Sequence, residues 1–109
     1  MDSTEFDGIT PGALSGKQRR HLRALGHGLH AVVQAGKNGL TDELLQAVDA
    51  ALLQHELIKL KVQRECPADC DELARELGAQ VGARVAQVLG RTVLLYRRHP
   101  AEPRIQLPR

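Results

Sequence analysis

At 109 residues and a formal net charge of +2, the chain suits one domain with a core of its own. It contains no apolar run near the roughly 18 residues of a membrane span, its acidic start does not read as a secretory signal, and its two cysteines, Cys66 and Cys70, are too few for a disulfide scaffold; a soluble, cytoplasmic protein is expected. The charge is unevenly placed: Pro11 to Thr41 holds no acid but carries Lys17, Arg19, Arg20, Arg23 and Lys37, acids gather between Glu65 and Glu76, and arginines return toward the end, so a near-neutral total can still present one positive face to a polyanion.

Residues 1–13 are polar, contain Gly8, Pro11 and Gly12, and show no period, which predicts a flexible arm. Ser15 can cap a helix running to about Gly28. Leu22, Leu25 and Leu29 share one face of it, and Arg19, Arg20, Arg23 and His27 fall opposite, with Lys17 at the edge. No acid stands at i+4 to neutralise this basic stripe. Ala31 to Ala35 reads as a short buried strand broken at Gly36. Thr41 is a second N-cap, with Asp42 and Glu43 in the first turn of a helix that ends near His55 and buries Leu44, Leu45, Val48, Ala51 and Leu52.

Leu57 to Gln63 alternates Ile58, Leu60 and Val62 with Lys59, Lys61 and Gln63, the pattern of a half-buried strand with two lysines on its open face. Pro67 fits the first turn of a third helix whose Leu73, Leu77 and Val81 face inward and whose C′ residue is Gly82. Val85–Leu89 and Thr92–Tyr96 are β-rich, and Gly90-Arg91 between them predicts a tight hairpin. The end of the chain, with Pro100, Pro103 and Pro108, should lie on the surface, with Ile105 and Leu107 as its docking candidates. The order helix, strand, helix, strand, helix, strand, strand predicts an α+β, two-layer fold: a four-stranded mixed sheet with packed helices.

Gly36-Lys37-Asn38-Gly39 carries the most chemistry. Glycines leave backbone N–H groups uncovered, a helix N-terminus follows, and together they favour a phosphate, with the Lys37 ammonium at the tip. The P-loop pattern is absent, so nucleotide hydrolysis is not expected. The same four-residue GxxG turn clamps a nucleic-acid backbone in KH domains, although many such turns only connect a strand to a helix. Cys66 and Cys70 lack the further ligands that zinc needs; Cys70 sits at helical spacing from Leu73 and Leu77 and reads as core. His27 and His30 read as surface residues. Phe6 and Tyr96 are too few aromatics for a stacking sheet of the RRM kind, and no catalytic constellation stands out.

The stretch LSGKQRRHLRALGHGLHAVVQAGKNGLTDELLQAVDAALLQHELIKLKV, with the later QVLGRTVLLYRR, resembles the YhbY family, the bacterial stand-alone form of the CRM (chloroplast RNA splicing and ribosome maturation) domain. The likeness covers about Leu14 to Leu107. It implies a mixed four-stranded sheet related to the C-terminal domain of translation initiation factor three, RNA binding, and association with the precursor of the large ribosomal subunit. The family's GxxG loop lands on Gly36, Lys37, Asn38 and Gly39, and its basic first helix on Lys17, Arg19, Arg20 and Arg23.

The reading is therefore a monomeric, non-enzymatic RNA-binding protein of ribosome assembly, with arm 1–13, domain 14–99 and surface tail 100–109. Lys17, Arg19, Arg20 and Arg23 attract phosphates, the Gly36–Gly39 loop fits one backbone turn, and Lys59, Lys61, Arg91 and Arg97 extend the surface. No metal, cofactor, small-molecule substrate or membrane partner is expected. The alternative is a protein–protein adaptor whose basic face meets an acidic partner.

Overall fold

The computed structural model describes residues 14–109; the arm expected over residues 1–13, with Phe6, lies outside them. The elements are α1 (Gly16–Gly26), β1 (Ala31–Ala35), α2 (Asp42–His55), β2 (Leu57–Val62), α3 (Cys70–Val81), β3 (Arg84–Leu89) and β4 (Thr92–Tyr96). One four-stranded sheet has the order β1-β2-β4-β3. β2 runs parallel to β1 and antiparallel to β4, and β3 pairs antiparallel with β4 as a hairpin. Gly90, at φ 59°, turns that hairpin in the left-handed region that a side chain disfavours.

The fold class and strand number are those expected, but the layering differs: helices cover both faces of the sheet. Ile58, Leu60 and Val62 of β2 and Val33 and Ala35 of β1 pack with Leu44, Val48 and Leu52 of α2 and with Leu73 and Leu77 of α3. On the other face Leu57, Ala86, Leu94 and Tyr96 pack with Leu14 and with Leu22 of α1, joined by Ile105 and Leu107. β4 explains the need for both layers. Its Val93 and Leu95 point one way and Leu94 and Tyr96 the other, all buried, the signature of a strand covered on both sides.

α1 begins in a capping box: Ser15 Oγ accepts from the Gln18 N–H and Gln18 Oε1 accepts from the Ser15 N–H, each at 3.1 Å, so two orphan donors are satisfied at once. It stops at Gly26, short of the expected Gly28. Its packing line also departs from the expected leucine stripe. Leu22 is 0% exposed, whereas Leu25 and Leu29 are 44% and 38% exposed. The reason is Gly26, where a Cβ would stand 2.8 Å from a Leu94 methyl. The absent side chain lets the helix settle onto β4 along Leu22 and Gly26, four residues apart, which rotates Leu25 to the flank.

α3 starts later than Pro67 predicts. Asp69 is its N-cap, accepting from the N–H groups of Asp71 and Glu72. Pro67 lies in the preceding loop beside Gly39. Of the cysteines, Cys66 is the buried one; Cys70 is half-buried against the same core, and both are free thiols.

One buried charge organises the chain end. Glu56, the C-cap of α2 at φ 64°, is 3% exposed. Its carboxylate accepts from the backbone N–H groups of His99 (2.8 Å), Arg104 (2.9 Å) and Ile105 (2.9 Å). These bonds, with Gln18 Nε2 donating to the Pro108 carbonyl, fold the tail back so that Ile105 and Leu107 complete the α1-side core.

Candidate nucleic-acid interface

Gly36 to Gly39 form one β-turn, closed by the Gly39 N–H donating to the Gly36 carbonyl at 3.0 Å. The two glycines have separate reasons. Gly39 is buried at φ 65°, a conformation that strains any side chain. Gly36 has no such φ, but a Cβ there would stand 3.3 Å from the Gln63 amide oxygen. Lys37 and Asn38 are exposed at the tip, and their N–H groups meet no protein acceptor among the described residues. The α2 N-terminus just beyond is less open to an anion than the glycines imply. Thr41 Oγ1 already accepts from the Leu44 N–H, and Asp42 and Glu43 place two negative charges in the first turn. A phosphate at this turn would therefore be held by the Lys37 ammonium and the tip amides rather than by the helix dipole.

The turn closes one end of an open groove of about 920 Å³ along β1 and α2, lined by Gln34, Leu44 and Ala47 among others, with Glu43 and Glu65 at its walls. At the same end of the sheet, Arg91 is exposed on the β3–β4 hairpin; its carbonyl accepts from the Val62 N–H and its guanidinium reaches the Arg64 carbonyl at 3.5 Å.

α1 covers only part of its face of the sheet. Its buried partners are Leu57, Ala86, Leu94 and Tyr96, so among the described residues the outer part of that face remains open. There Val32, Gln34 and Lys61 are exposed and Lys59 is half-buried. The Gln63 amide donates to Gln34 Oε1 at 2.6 Å across the end of β1 and β2. Lys59 and Lys61 share the face of Leu57, because side chains alternate along β2. They therefore stand on the α1 side of the molecule, with the exposed Lys17, Arg19, Arg20 and Arg23.

Charge is thus segregated across the sheet. α1 carries four Lys and Arg residues and no acid. On the opposite layer, α2 has Asp42, Glu43 and Asp49 with no Lys or Arg, and α3 has Asp71, Glu72 and Glu76 against Arg75 alone.

The description "CRS1 / YhbY (CRM) domain" fits residues 14–97 as a family model. The chain belongs to this family. The CRM chain is 35% identical over 95 residues to a protein of Bacillus subtilis named "Probable RNA-binding protein YqeI", covering 87% of this chain and 99% of the relative. It is 38% identical over 96 residues to a Haemophilus influenzae protein named "RNA-binding protein", covering 88% and 96%. Among solved structures it resembles the hypothetical protein SAV1595 of Staphylococcus aureus, described as a candidate RNA-binding protein, with a TM-score of 0.75, 35% identity, and coverage of 87% of this chain and 99% of that one.

Within this CRM fold, one expected surface residue is redirected. Arg97 does not extend the α1-side surface: its guanidinium donates to Asp49 Oδ1 at 2.7 Å, the Asp49 carbonyl at 3.0 Å and the Val81 carbonyl at 2.9 Å. It is a tie between α2 and the end of α3, with both terminal nitrogens of the guanidinium engaged by the protein. Tyr96 is buried in the α1-side core; burial and the neighbouring Glu56 carboxylate push its hydroxyl above the usual tyrosine range, and it offers no stacking face. Among the described residues, no group of three or more His, Cys, Asp or Glu is arranged to hold a metal ion, and no helix is long and apolar enough to cross a membrane.

Proposed function

We propose that this protein is a monomeric, cytoplasmic RNA-binding protein that binds rRNA in the precursor of the large ribosomal subunit during assembly, without catalysis. The observation that carries RNA binding is the charge segregation: an acid-free cationic α1 on the same side of the sheet as Lys59 and Lys61. A polyanion with regularly spaced charges meets such a surface favourably by releasing counterions. Membership of the CRM family and the names of the relatives support RNA as that polyanion. A ribosomal RNA target is supported by the likeness of LSGKQRR, VVQAGKNGL, ELIKLKV and GRTVLLYR to the YhbY family.

A salt titration tests the electrostatic claim. Replacing Arg19, Arg20 and Arg23 with Ala should weaken binding to many RNAs alike and flatten the dependence of log K on log salt by roughly 0.7 per lost phosphate contact on single strands. An unchanged slope would remove α1 from the interface. Crosslinking in cells followed by sequencing of the attached RNA tests the ribosomal claim: enrichment of large-subunit rRNA is expected, and RNA-insensitive copurification with one acidic protein would replace it with an adaptor role.

A further inference from the structure

We infer that a second, apolar cleft, between the ends of α1 and α2, receives one unpaired nucleobase of the bound RNA. This rests on the RNA-binding reading and adds to it a base-recognition site.

The cleft has a volume of about 440 Å³ and lies where β1 and β2 begin, near the ends of α1 and α2 and the returning tail. Leu25, Leu29 and Val32 line it, and all three are large apolar side chains that the fold leaves exposed, Val32 at 53%. Their clustering in one concave place is the informative feature, because scattered exposed leucines need no explanation whereas a contiguous apolar surface with a polar rim marks a binding site. The register of β1 against β2 slips by one residue between Ala31 and Val33. Val32 is the residue left without a partner on β2, and it keeps the open face that it shares with Gln34.

The rim chooses the occupant. His30, His55 and Lys59 border the cleft and, among the described residues, no acidic side chain lines it, in contrast to the groove beside the GxxG turn with its Glu43 and Glu65. A nucleobase is flat and apolar on its faces, polar at its edge, and tethered to phosphates. Aliphatic side chains and imidazoles suit the faces, and an ammonium suits a base carbonyl or the adjoining phosphate. Single strands are usually read by stacking on aromatic rings, and the Tyr96 ring is buried; the histidine-rimmed cleft supplies a surface of the required kind. The site is continuous with the rest of the interface. From Lys59, β2 leads past Lys61 to Val62, whose partner Ala35 immediately precedes the GxxG turn, a distance along the strand of roughly 10 Å. A backbone held at Lys37 can thus pass the two lysines and deliver a base to the cleft.

The test compares RNA hairpins with an unpaired loop, the same hairpins with one abasic loop nucleotide, and a fully paired duplex of equal length. Two variants are used, Leu25→Ser with Val32→Thr, and separately Lys59→Gln; melting curves confirm folding, and the lysine variant leaves the apolar lining intact. For the wild type, the abasic substitution at the responsible nucleotide should weaken binding about tenfold. The Leu25/Val32 variant should bind the intact loop about tenfold more weakly, lose little further with the abasic loop, and bind the duplex as the wild type does. If every single abasic loop binds the wild type as tightly as the intact loop, or both variants retain loop affinity, the cleft is no base site, while salt-dependent binding that needs Arg19, Arg20 and Arg23 would still uphold the RNA-binding reading. Failure of the wild type to bind any RNA overturns both. Loss of a copurifying protein from the cleft variants, with RNA affinity unchanged, would assign the cleft to a protein segment instead.

Discussion

Gly39 and Gly36 flank the same two residues, but only Gly39 is required by its backbone, at φ 65°. The test of the turn therefore leaves both in place. Lys37-Asn38→Asp-Asp keeps the turn and sets two negative charges at the exposed tip, close to those already present on Asp42 and Glu43. Melting should stay near normal while RNA affinity falls about tenfold or more, corresponding to roughly 1.4 kcal/mol. Wild-type affinity in the folded variant would reduce the turn to a connector. Glu56 poses a different question, since a carboxylate with 3% exposure should resist ionisation. Burial does push its pKa up, but hydrogen bonds from the His99, Arg104 and Ile105 N–H groups outweigh it and hold the carboxyl below its ordinary value of 4.5. A folded-state pKa below the unfolded one contributes stability that is present above the unfolded value and lost as pH falls through the folded value. Glu56→Gln keeps one acceptor oxygen and turns an NH₂ toward an N–H donor, so it should cost about 1–3 kcal/mol at neutral pH. Between pH 7 and pH 3 the wild type should lose more stability than the variant, as measured by denaturant midpoints; parallel losses would mean that the tail is held by Ile105 and Leu107 alone.

At the scale of an element, α1 shows how one missing side chain redirects a helix. Its leucines at 22, 25 and 29 predict a single buried stripe, yet the close approach of Gly26 to Leu94 buries Leu22 and swings Leu25 outward. The two leucines should therefore respond differently. Leu22→Ala removes a fully buried side chain and should cost about 2–5 kcal/mol, whereas Leu25→Ala should cost under about 1 kcal/mol. Leu22→Asp should unfold the domain and Leu25→Asp should melt near the wild-type temperature. Equal destabilisation at both positions would refute this docking of α1. The other helices are more nearly as their patterns imply: Thr41 caps α2, Gly82 ends α3 in the left-handed conformation at φ 70°, and Leu44, Val48, Leu52, Leu73 and Leu77 face the sheet.

For the molecule as a whole, the sheet divides a cationic layer from an acidic one. Two packing distances of roughly 10 Å each separate the helix layers, and the Debye length at physiological salt is roughly 8 Å. The acids of α3 should thus be nearly invisible to RNA bound on the α1 side. Glu72→Gln with Glu76→Gln should change RNA affinity by less than about twofold at 0.15 M salt, with Asp69 kept as the helix cap. A larger gain in affinity would show that RNA wraps onto the α3 layer.

Much of this architecture was legible along the chain because it depends on local chemistry. The element order, the caps at Ser15 and Thr41, the turn at Gly36–Gly39 and the hairpin at Gly90 follow from dihedral preference, hydrogen-bonding side chains and periodicity within a few residues. The acid-free run through α1 was equally plain. The tertiary structure decided whatever required two distant residues to meet. It laid α1 on the face opposite α2 and α3, because Gly26 and Leu94 are complementary only in three dimensions. It turned Arg97 inward to Asp49 and Val81, where the sequence offered one more exposed cation. It gave Glu56 three backbone donors from a tail 43 to 49 residues on, and it gathered Leu25, Leu29, Val32, His30 and His55 into one cleft. No periodicity within an element could show these meetings, because each is set by the way separate elements pack.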